Sequence, residues 1–203
     1  ESQLVPACDL WFVANSCEEG LGDLRGAKAA FNKLKDKVSA VINLEGLAFG
    51  HIYYAGIAVH RLHITSTTEG GHSWLHCGRP SAIHTIVNIG TEISKLQFPA
   101  QPRTTFNIGM IEGGHAINAI STHAGLWLDL RSVSPTALEH YRQQVYDIIQ
   151  RAQHDGVNIQ VEVVGDRPAG AIAIEHPLVQ GALTTLKEMG VTGALEVGST
   201  DGN

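Results

Sequence analysis

Two adjacent carboxylates, Glu18 and Glu19, follow an apolar run and precede a glycine-rich turn. Two like charges side by side repel each other, and each carboxylate loses hydration when it is buried. A nearby dication offsets both costs, and neighbouring side chains in a turn diverge, so that one can bind a metal while the other faces a substrate. Glu45 ends the next apolar run, 45 − 19 = 26 residues later. The three carboxylates predict part of a metal site, with solvated surface charges as the alternative interpretation.

The elements around these carboxylates predict how they would be positioned. Residues 9–15 and 39–46 are apolar runs that predict two short strands, and residues 23–37 have the periodicity of an amphipathic helix. Strand, helix and strand at this spacing predict a parallel βαβ unit. Since parallel strands end at the same edge of a sheet, we expect Glu19 and Glu45 to meet at that edge, where doubly wound sheets bind ligands.

A different pattern occupies residues 57–165. Two helical segments, 79–97 and 134–156, alternate with four strand-like segments in the order β-α-β-β-α-β. Ser134 and Pro135 suit the start of the second helix. This order is that of the ferredoxin-like split fold, in which a four-stranded antiparallel sheet carries two helices on one face.

The predicted fold class is therefore a partial α/β domain, residues 1–50 and 169–203, with an inserted α+β ferredoxin-like (βαββαβ) domain, residues 51–168. The Arg-Pro-Ala-Gly stretch at 167–170 is typical of a linker. Both ends of the sequence are interpreted as cut, so we expect an internal piece of a longer protein.

Composition excludes several classes of function. The net charge is −6 and Lys and Arg form no cluster, which argues against a nucleic-acid partner. A ferredoxin-like RNA-binding module would also need an aromatic platform, which we do not find. No apolar run reaches the ~18 residues of a membrane span. Three cysteines without a CxxC motif favour reduced thiols and a cytoplasmic location.

Five stretches occur in order along the chain: FVANSCEEGLGDLRGAKA, INLEG, GGHSW…GRPSAIH, PRTTFNIGMIEGGHAINAIS…LWLDLRS and GSTDGN. Together they resemble the co-catalytic zinc peptidases, the family of peptidase T, glutamate carboxypeptidase, aminoacylase and succinyl-diaminopimelate desuccinylase. The resemblance is closest to a peptidase-T-like subgroup. It implies that the partial α/β domain is catalytic and that the inserted ferredoxin-like domain is a lid or dimerisation domain. It implies hydrolysis of a peptide or N-acyl amino acid, two zinc ions with cobalt or manganese as alternatives, and a homodimer formed through the lid.

The resemblance also implies roles for individual residues. Glu18 would be the general base that activates a water bridged between two zinc ions, and Glu19 and Glu45 would each bind a metal. His72 would stabilise the oxyanion, often in the active site of the dimer partner. His76 is the weaker competing candidate, and a turn residue is the alternative interpretation of His72.

Substrate binding is implied for five further residues. Arg131 and Asn118, 131 − 118 = 13 residues apart, would grip the carboxylate or backbone of the substrate, with a surface Arg and a turn Asn as the alternative. The loop Gly198, Ser199 and Thr200 would line the pocket through backbone contacts. Whether the enzyme is an aminopeptidase or a carboxypeptidase stays open.

The resemblance also indicates what this chain does not contain. The family's remaining metal ligands, a His and a bridging Asp upstream and a His downstream, have no counterpart in this sequence. We therefore expect the chain alone to be inactive or to bind metal weakly. The alternative function is a non-catalytic dimerisation module, in which the strand at 59–67 pairs as an edge strand with its twin.

Overall fold

The computed structural model describes residues 8–46 and 49–199 as a mixed α/β structure. The helices are α1 Arg25–Leu34, α2 Ala82–Ser94, α3 Pro135–Ala152 and α4 Pro177–Glu188. The strands are β1 His51–Gly56, β2 Ala58–Thr68, β3 Gly71–His72, β4 Thr104–Gly113, β5 Ala119–Ile120, β6 His123–Ser132, β7 Val157–Arg167, β8 Gly170–Ala171 and β9 Ala194–Gly198. None of these helices is both long and apolar enough to cross a membrane.

The main core lies between a four-stranded sheet and two helices. The strand order is β4-β6-β2-β7, and every neighbouring pair is antiparallel. Leu62 and Ile64 of β2 point to the side covered by α2 and α3, where they pack with Ile86. Because side chains alternate along a strand, Arg61 and His63 point to the opposite side, which we call the open face.

Helix α3 begins as its sequence predicts. The Ser134 hydroxyl accepts a hydrogen bond from the Ala137 N–H at 3.3 Å, and Pro135 occupies the first helical position. The helix ends at Ala152, before Gly156, which we expected to be its stop and which adopts a φ of 80° in the following turn. The start of this helix is confirmed, and its end comes four residues earlier than the glycine suggests.

A second sheet has the order β8-β1-β9, with β1 parallel to β9 and antiparallel to β8. Helix α4 packs against β1. The predicted lid boundary at residue 51 falls inside this sheet, because β1 pairs with β9 rather than with the four-stranded sheet. The chain passes between the two sheets at Ile57, whose N–H donates to the Gly198 carbonyl at 2.8 Å.

Two predicted strands are absent from the described structure. The runs at 9–15 and 39–46 form no strand, and their apolar side chains are exposed, with Phe12 at 93% and Leu44 at 94%. A parallel strand needs neighbours that supply its hydrogen bonds, and no described strand pairs with either run. The expected meeting of Glu19 and Glu45 at adjacent strand ends therefore loses its structural basis.

Two further predictions are corrected. The strand expected to pair with its twin, 59–67, lies in β2 between β6 and β7, so its hydrogen-bonding groups are already used. The free edges of this sheet are β4 and β7. The second change is a refinement: the expected linker at 167–170 does connect the two sheets, but its ends belong to them, because Arg167 ends β7 and Gly170 begins β8.

Candidate functional site

The turn that carries the two glutamates has a constrained backbone. Cys17, Asp23 and Leu24 have φ values of 63°, 45° and 59°, in the left-handed region that residues other than glycine rarely adopt. The backbone also packs closely, since a Cβ on Gly26 would lie 2.1 Å from the Ser16 carbonyl oxygen. Backbone strain of this kind clusters at functional sites, which marks the turn as a candidate.

Arg167, at the end of β7, binds this turn. Its side chain is only 4% exposed, and Nη1 donates to Glu18 Oε1 at 2.9 Å while Nη2 donates to the Glu18 carbonyl at 2.6 Å. Nη1 also lies 3.3 Å from Ser199 Oγ, to which it donates. The structure therefore brings together Glu18 and Ser199, which are 199 − 18 = 181 residues apart in the sequence.

Asp23 completes the charge balance around Arg167. Its Oδ2 lies 2.7 Å from Lys28 Nζ, and its Oδ1 accepts from the Asp166 N–H at 3.1 Å and lies 3.5 Å from Arg167 Nε. Burial, the largest single effect, raises the pKa of the Asp23 carboxyl, whereas hydrogen bonds from Lys28 and the Asp166 N–H lower it. The charges of Lys28 and Arg167 lower this pKa further, so it lies below its usual value.

A second arginine of the open face binds the same turn. Arg61 Nη1 donates to the Gly20 carbonyl at 2.9 Å, and Arg61 Nε donates to Asp129 Oδ1 at 3.2 Å. The other oxygen of Asp129 accepts from Arg131 Nε at 2.7 Å. Asp129 therefore links Arg131, the predicted substrate-binding arginine, to the turn that contains Glu18.

The strand register explains why these arginines meet. Val59 in β2 is the direct partner of Arg131 in β6 and of Arg167 in β7. Directly paired residues point to the same side of a sheet, so Arg61, Arg131 and Arg167 share one end of the open face. Sequence reasoning missed Arg167 because an Arg-Pro dipeptide suggests a linker, and only the strand register shows that the three arginines are neighbours.

His72 and Asn118 lie together at the small two-stranded antiparallel β3–β5 sheet, in which His72 pairs with Ala119. The Ser73 N–H donates to the Asn118 carbonyl at 2.9 Å. His72 Nδ1 accepts from the Trp74 N–H at 3.2 Å, which leaves Nε2 of a neutral ring to carry the proton. His76 Nδ1 accepts from the His72 N–H at 2.9 Å, so His76 supports the backbone of His72.

The β3–β5 sheet and the three arginines lie at opposite ends of the four-stranded sheet. β5 leads into the start of β6 at His123, whereas Arg131 lies eight residues further along that strand. At roughly 3.4 Å per residue, the two ends are about 27 Å apart. Within one chain, the structure therefore does not bring His72 and Asn118 to Glu18 or to Arg131.

The predicted metal ligands are exposed carboxylates. Glu19 precedes the short 3-10 turn Gly20–Gly22, and neither Glu19 nor Glu45 forms an ion pair with another described residue. Carboxylate oxygens suit zinc, but each zinc wants about four ligands. Within 8–46 and 49–199, no group of three or more His, Cys, Asp or Glu side chains could hold a metal. The described residues therefore supply only part of a metal site.

The predicted pocket loop begins at the end of β9. A Cβ on Gly198 would lie 2.6 Å from the Tyr53 ring, so close packing against β1 requires glycine here. Ser199 follows and is bound by Arg167. Thr200 lies outside the described residues.

Comparison with protein families identifies the central part of the chain. The family described as a peptidase dimerisation domain (M20) matches residues 59–157. The chain carries an M20 peptidase dimerisation domain. This match confirms the resemblance to this peptidase family that the sequence motifs predicted. No curated protein matches the chain.

Solved structures share the fold of the M20 domain and of the segments beside it. Aminopeptidase PepT from Bacillus cereus has a TM-score of 0.68 and 21% identity, over 89% of this chain and 49% of that one. A tripeptidase from Staphylococcus aureus has a TM-score of 0.63 and 19% identity, over 87% of this chain and 50% of that one. Aminobenzoyl-glutamate utilization protein from Klebsiella pneumoniae has a TM-score of 0.68 and 16% identity, over 93% of this chain and 50% of that one. The chain spans about half the length of these structures.

The M20 dimerisation domain presents β4 as an accessible edge. Met110 and Ile111 on this strand are both exposed, as is Val87 on the neighbouring helix α2. An edge strand offers unpaired N–H and C=O groups to another chain, and exposed apolar side chains beside it add area to such a contact. This edge is one of the two, with β7, at which the domain can extend its sheet, whereas β2 lies in the interior of the sheet.

Proposed function

We propose that the protein to which this chain contributes hydrolyses a peptide or N-acyl amide bond with Glu18 as general base. The observation that carries the proposal is the convergence of Glu18 and Ser199 on the buried Arg167, at the end of an M20 dimerisation domain. The similar structures named as an aminopeptidase and a tripeptidase support the same reaction class.

The geometry of Glu18 suits a base that must be held in place. Arg167 binds one carboxylate oxygen, Oε1, and no described residue donates to Oε2. Oε2 is then the atom that takes a proton from water and passes it to the leaving amine. Two zinc ions, held in part by Glu19 and Glu45, would lower the pKa of the attacking water and polarise the scissile carbonyl; cobalt or manganese are alternatives.

Arg131 is suited to bind a substrate carboxylate. Asp129 accepts from its Nε and so orients the guanidinium, while both Nη groups stay available among the described contacts. A planar fork of this kind meets a carboxylate with two hydrogen bonds. We propose that the loop at Gly198, Ser199 and Thr200 forms the opposite wall of the pocket.

We propose a homodimer in which His72 and Asn118 act in the site of a second copy. One chain holds them about 27 Å along the sheet from the Glu18 end, so only another chain can bring them there. His72 Nδ1 is occupied by the Trp74 N–H, so Nε2 is the ring nitrogen that would donate to the oxyanion. Pairing of two β4 edges would place two domains side by side in one extended sheet.

The domain organisation follows from the same observations. We propose that residues 57–168 form a ferredoxin-like lid inserted between two parts of a catalytic domain, 1–56 and 169–203. The strand order β4-β6-β2-β7 with two helices on one face supports the ferredoxin-like assignment. Pairing of β1, which precedes the lid in the sequence, with β9, which follows it, supports the insertion.

Three exposed free cysteines are compatible with the cytoplasmic location that we propose.

Substitution in the gene product that carries this chain tests the proposal. With zinc, cobalt or manganese supplied, we measure metal content and amine release from di- and tripeptides and N-acyl amino acids. We expect Glu18→Gln to retain metal and lose roughly 10²–10⁴-fold in turnover, as for removal of a general base. Glu19→Gln should instead lose metal, and Glu139→Gln on the surface of α3 should match the wild type. Full turnover in Glu18→Gln would contradict the proposal.

The match to a dimerisation domain favours one alternative, a module that only associates. Sedimentation at several concentrations measures the association. If the longer gene product dimerises and shows no amine release with any of the three metals, the non-catalytic module is the correct interpretation.

A further inference from the structure

We infer that Arg167 is a positioning residue that fixes the Glu18 carboxylate and the Ser199 loop relative to each other. Strand β7 of the four-stranded sheet thereby determines the geometry of the hydrolytic centre. This inference rests on the proposed function and adds a residue to it. Arg167 joins the turn that holds Glu18 and Asp23 to the loop at Ser199, and these two segments are distant in the sequence.

The hydrogen bonds of Arg167 fix both the position and the orientation of Glu18. Nη2 binds the Glu18 main-chain carbonyl and Nη1 binds its side-chain Oε1. A single point charge could attract the carboxylate, but two donors in a rigid plane also fix the backbone from which the side chain extends. The direction of Oε2 is thereby fixed, while no described residue donates a hydrogen bond to this atom.

The burial of Arg167 shows that this contact is not a surface ion pair. Its side chain is almost inaccessible, and two carboxylates, Glu18 and Asp23, lie within ion-pair distance of the guanidinium. A buried charge is retained only when it is paired, so movement of the turn would leave Arg167 without compensation. The turn and the end of β7 therefore hold each other in one arrangement.

The first test compares kcat and KM in the metal-loaded gene product. Because a small misplacement of a catalytic group costs about 100-fold, we expect Arg167→Met to lower kcat by about 100-fold with little change in KM or metal content. Arg167→Lys keeps the charge and lacks the fork, so its kcat should stay within about threefold of Arg167→Met. Full rescue by Lys would overturn the inference. Arg142→Met, which removes a surface charge from α3, is the matched control.

A double-mutant cycle tests whether Arg167 acts through Glu18. If it does, Arg167→Met should cost no further turnover when Glu18 is already Gln. Multiplied losses would overturn the positioning role. This cycle also separates the two hypotheses: an active Glu18→Gln contradicts the proposed function, whereas an inactive Glu18→Gln with an unchanged Arg167→Met contradicts only the inference.

A spectroscopic readout that does not depend on activity completes the test. In the 203-residue chain with ¹⁵N-labelled arginine, the Arg167 Nη–H groups should exchange slowly with water because they are buried and bonded. Glu18→Gln should accelerate this exchange at Arg167 and leave Arg142, on the surface of α3, unchanged. Fast exchange at Arg167 in the unsubstituted chain would overturn the inference.

Discussion

The dimerisation domain and the segments beside it differ in how their apolar residues are used. In the domain, Leu62, Ile86 and Leu128 are almost completely buried between one sheet and two helices. In the segment before it, Phe12 and Leu44 are almost fully exposed. Both regions are rich in apolar residues, so composition alone does not separate them. The difference is that every strand of the four-stranded sheet finds its partners within the domain.

This contrast shows where the stability of the chain resides. Antiparallel neighbours and two covering helices give the domain a closed core, whereas an apolar run without a strand partner gains nothing from burial. Unfolding free energy should therefore respond strongly to substitutions in the domain core and weakly to substitutions in the first segment. Substitutions at four positions test this contrast, from the largest expected effect to the smallest.

The largest effect is expected in the domain core. Ile86→Ala in α2 removes a side chain packed against Leu62 and Ile64, and it should lower the unfolding free energy by about 2–5 kcal/mol, because a cavity is added to the lost burial. Urea denaturation of the chain measures this. Ile86→Leu, which conserves volume, should cost less than about 1.5 kcal/mol. A loss below 1 kcal/mol in the alanine variant would show that the core is not closed.

The second effect lies at the junction of the two regions. Asp23→Asn removes the charge that pairs with Lys28 and Arg167, and leaving the buried guanidinium with less compensation should cost about 1–3 kcal/mol at pH 7. The exposed Asp36→Asn, which changes the same charge, is the control. An equal loss in both variants would mean that net charge, and not this network, is responsible.

The same substitution has a defined pH dependence. The folded pKa of Asp23 lies below its unfolded value of about 3.9, so its contribution is complete at pH values above the unfolded pKa. It is lost as the pH falls through the folded pKa. The stability difference between wild type and Asp23→Asn should therefore be constant from pH 7 to about 5 and shrink below about 4. A difference that grows on acidification would contradict the lowered pKa.

A smaller effect is expected at the start of α3. Ser134→Ala removes the hydroxyl that accepts from the Ala137 N–H, which should cost about 1 kcal/mol. Ser134→Asp keeps an acceptor at this position and should retain most of the stability. Thermal unfolding monitored by circular dichroism compares the three proteins. Equal stability of Ser134→Ala and wild type would show that the Ser134 cap does not stabilise this helix.

The contrast also explains what the sequence could predict. The helix at 134–156 and the alternation in β2 depend on neighbours three, four or two residues away, and both appear near their predicted positions. The strands at 9–15 and 39–46 depend on distant partners, and a local pattern says nothing about whether those are present. Apolar character was interpreted correctly in both cases, but in the described chain the strands of the domain find partners and the runs at 9–15 and 39–46 do not.

The residues of the candidate site also differ in whether local sequence could predict them. Glu18 and Ser199 were named from the sequence, but Arg167, which binds both, was assigned to a linker. Its role depends on the register that sets Val59 between β6 and β7, a relation between residues more than 70 positions apart. Local motifs therefore predict which groups are chemically competent, whereas the groups that hold them become visible only through strand pairing.

The smallest effect is expected where the sequence suggested a core strand. Phe12 is exposed in the described structure, so Phe12→Ala should change the unfolding free energy of the 203-residue chain by no more than about 0.5 kcal/mol. Urea denaturation beside Ile86→Ala gives the comparison directly, since both substitutions truncate a large apolar side chain to alanine. A cost in Phe12→Ala near that of Ile86→Ala would mean that the first segment packs in solution. The two regions would then share one core, and the distinction drawn between them would fail.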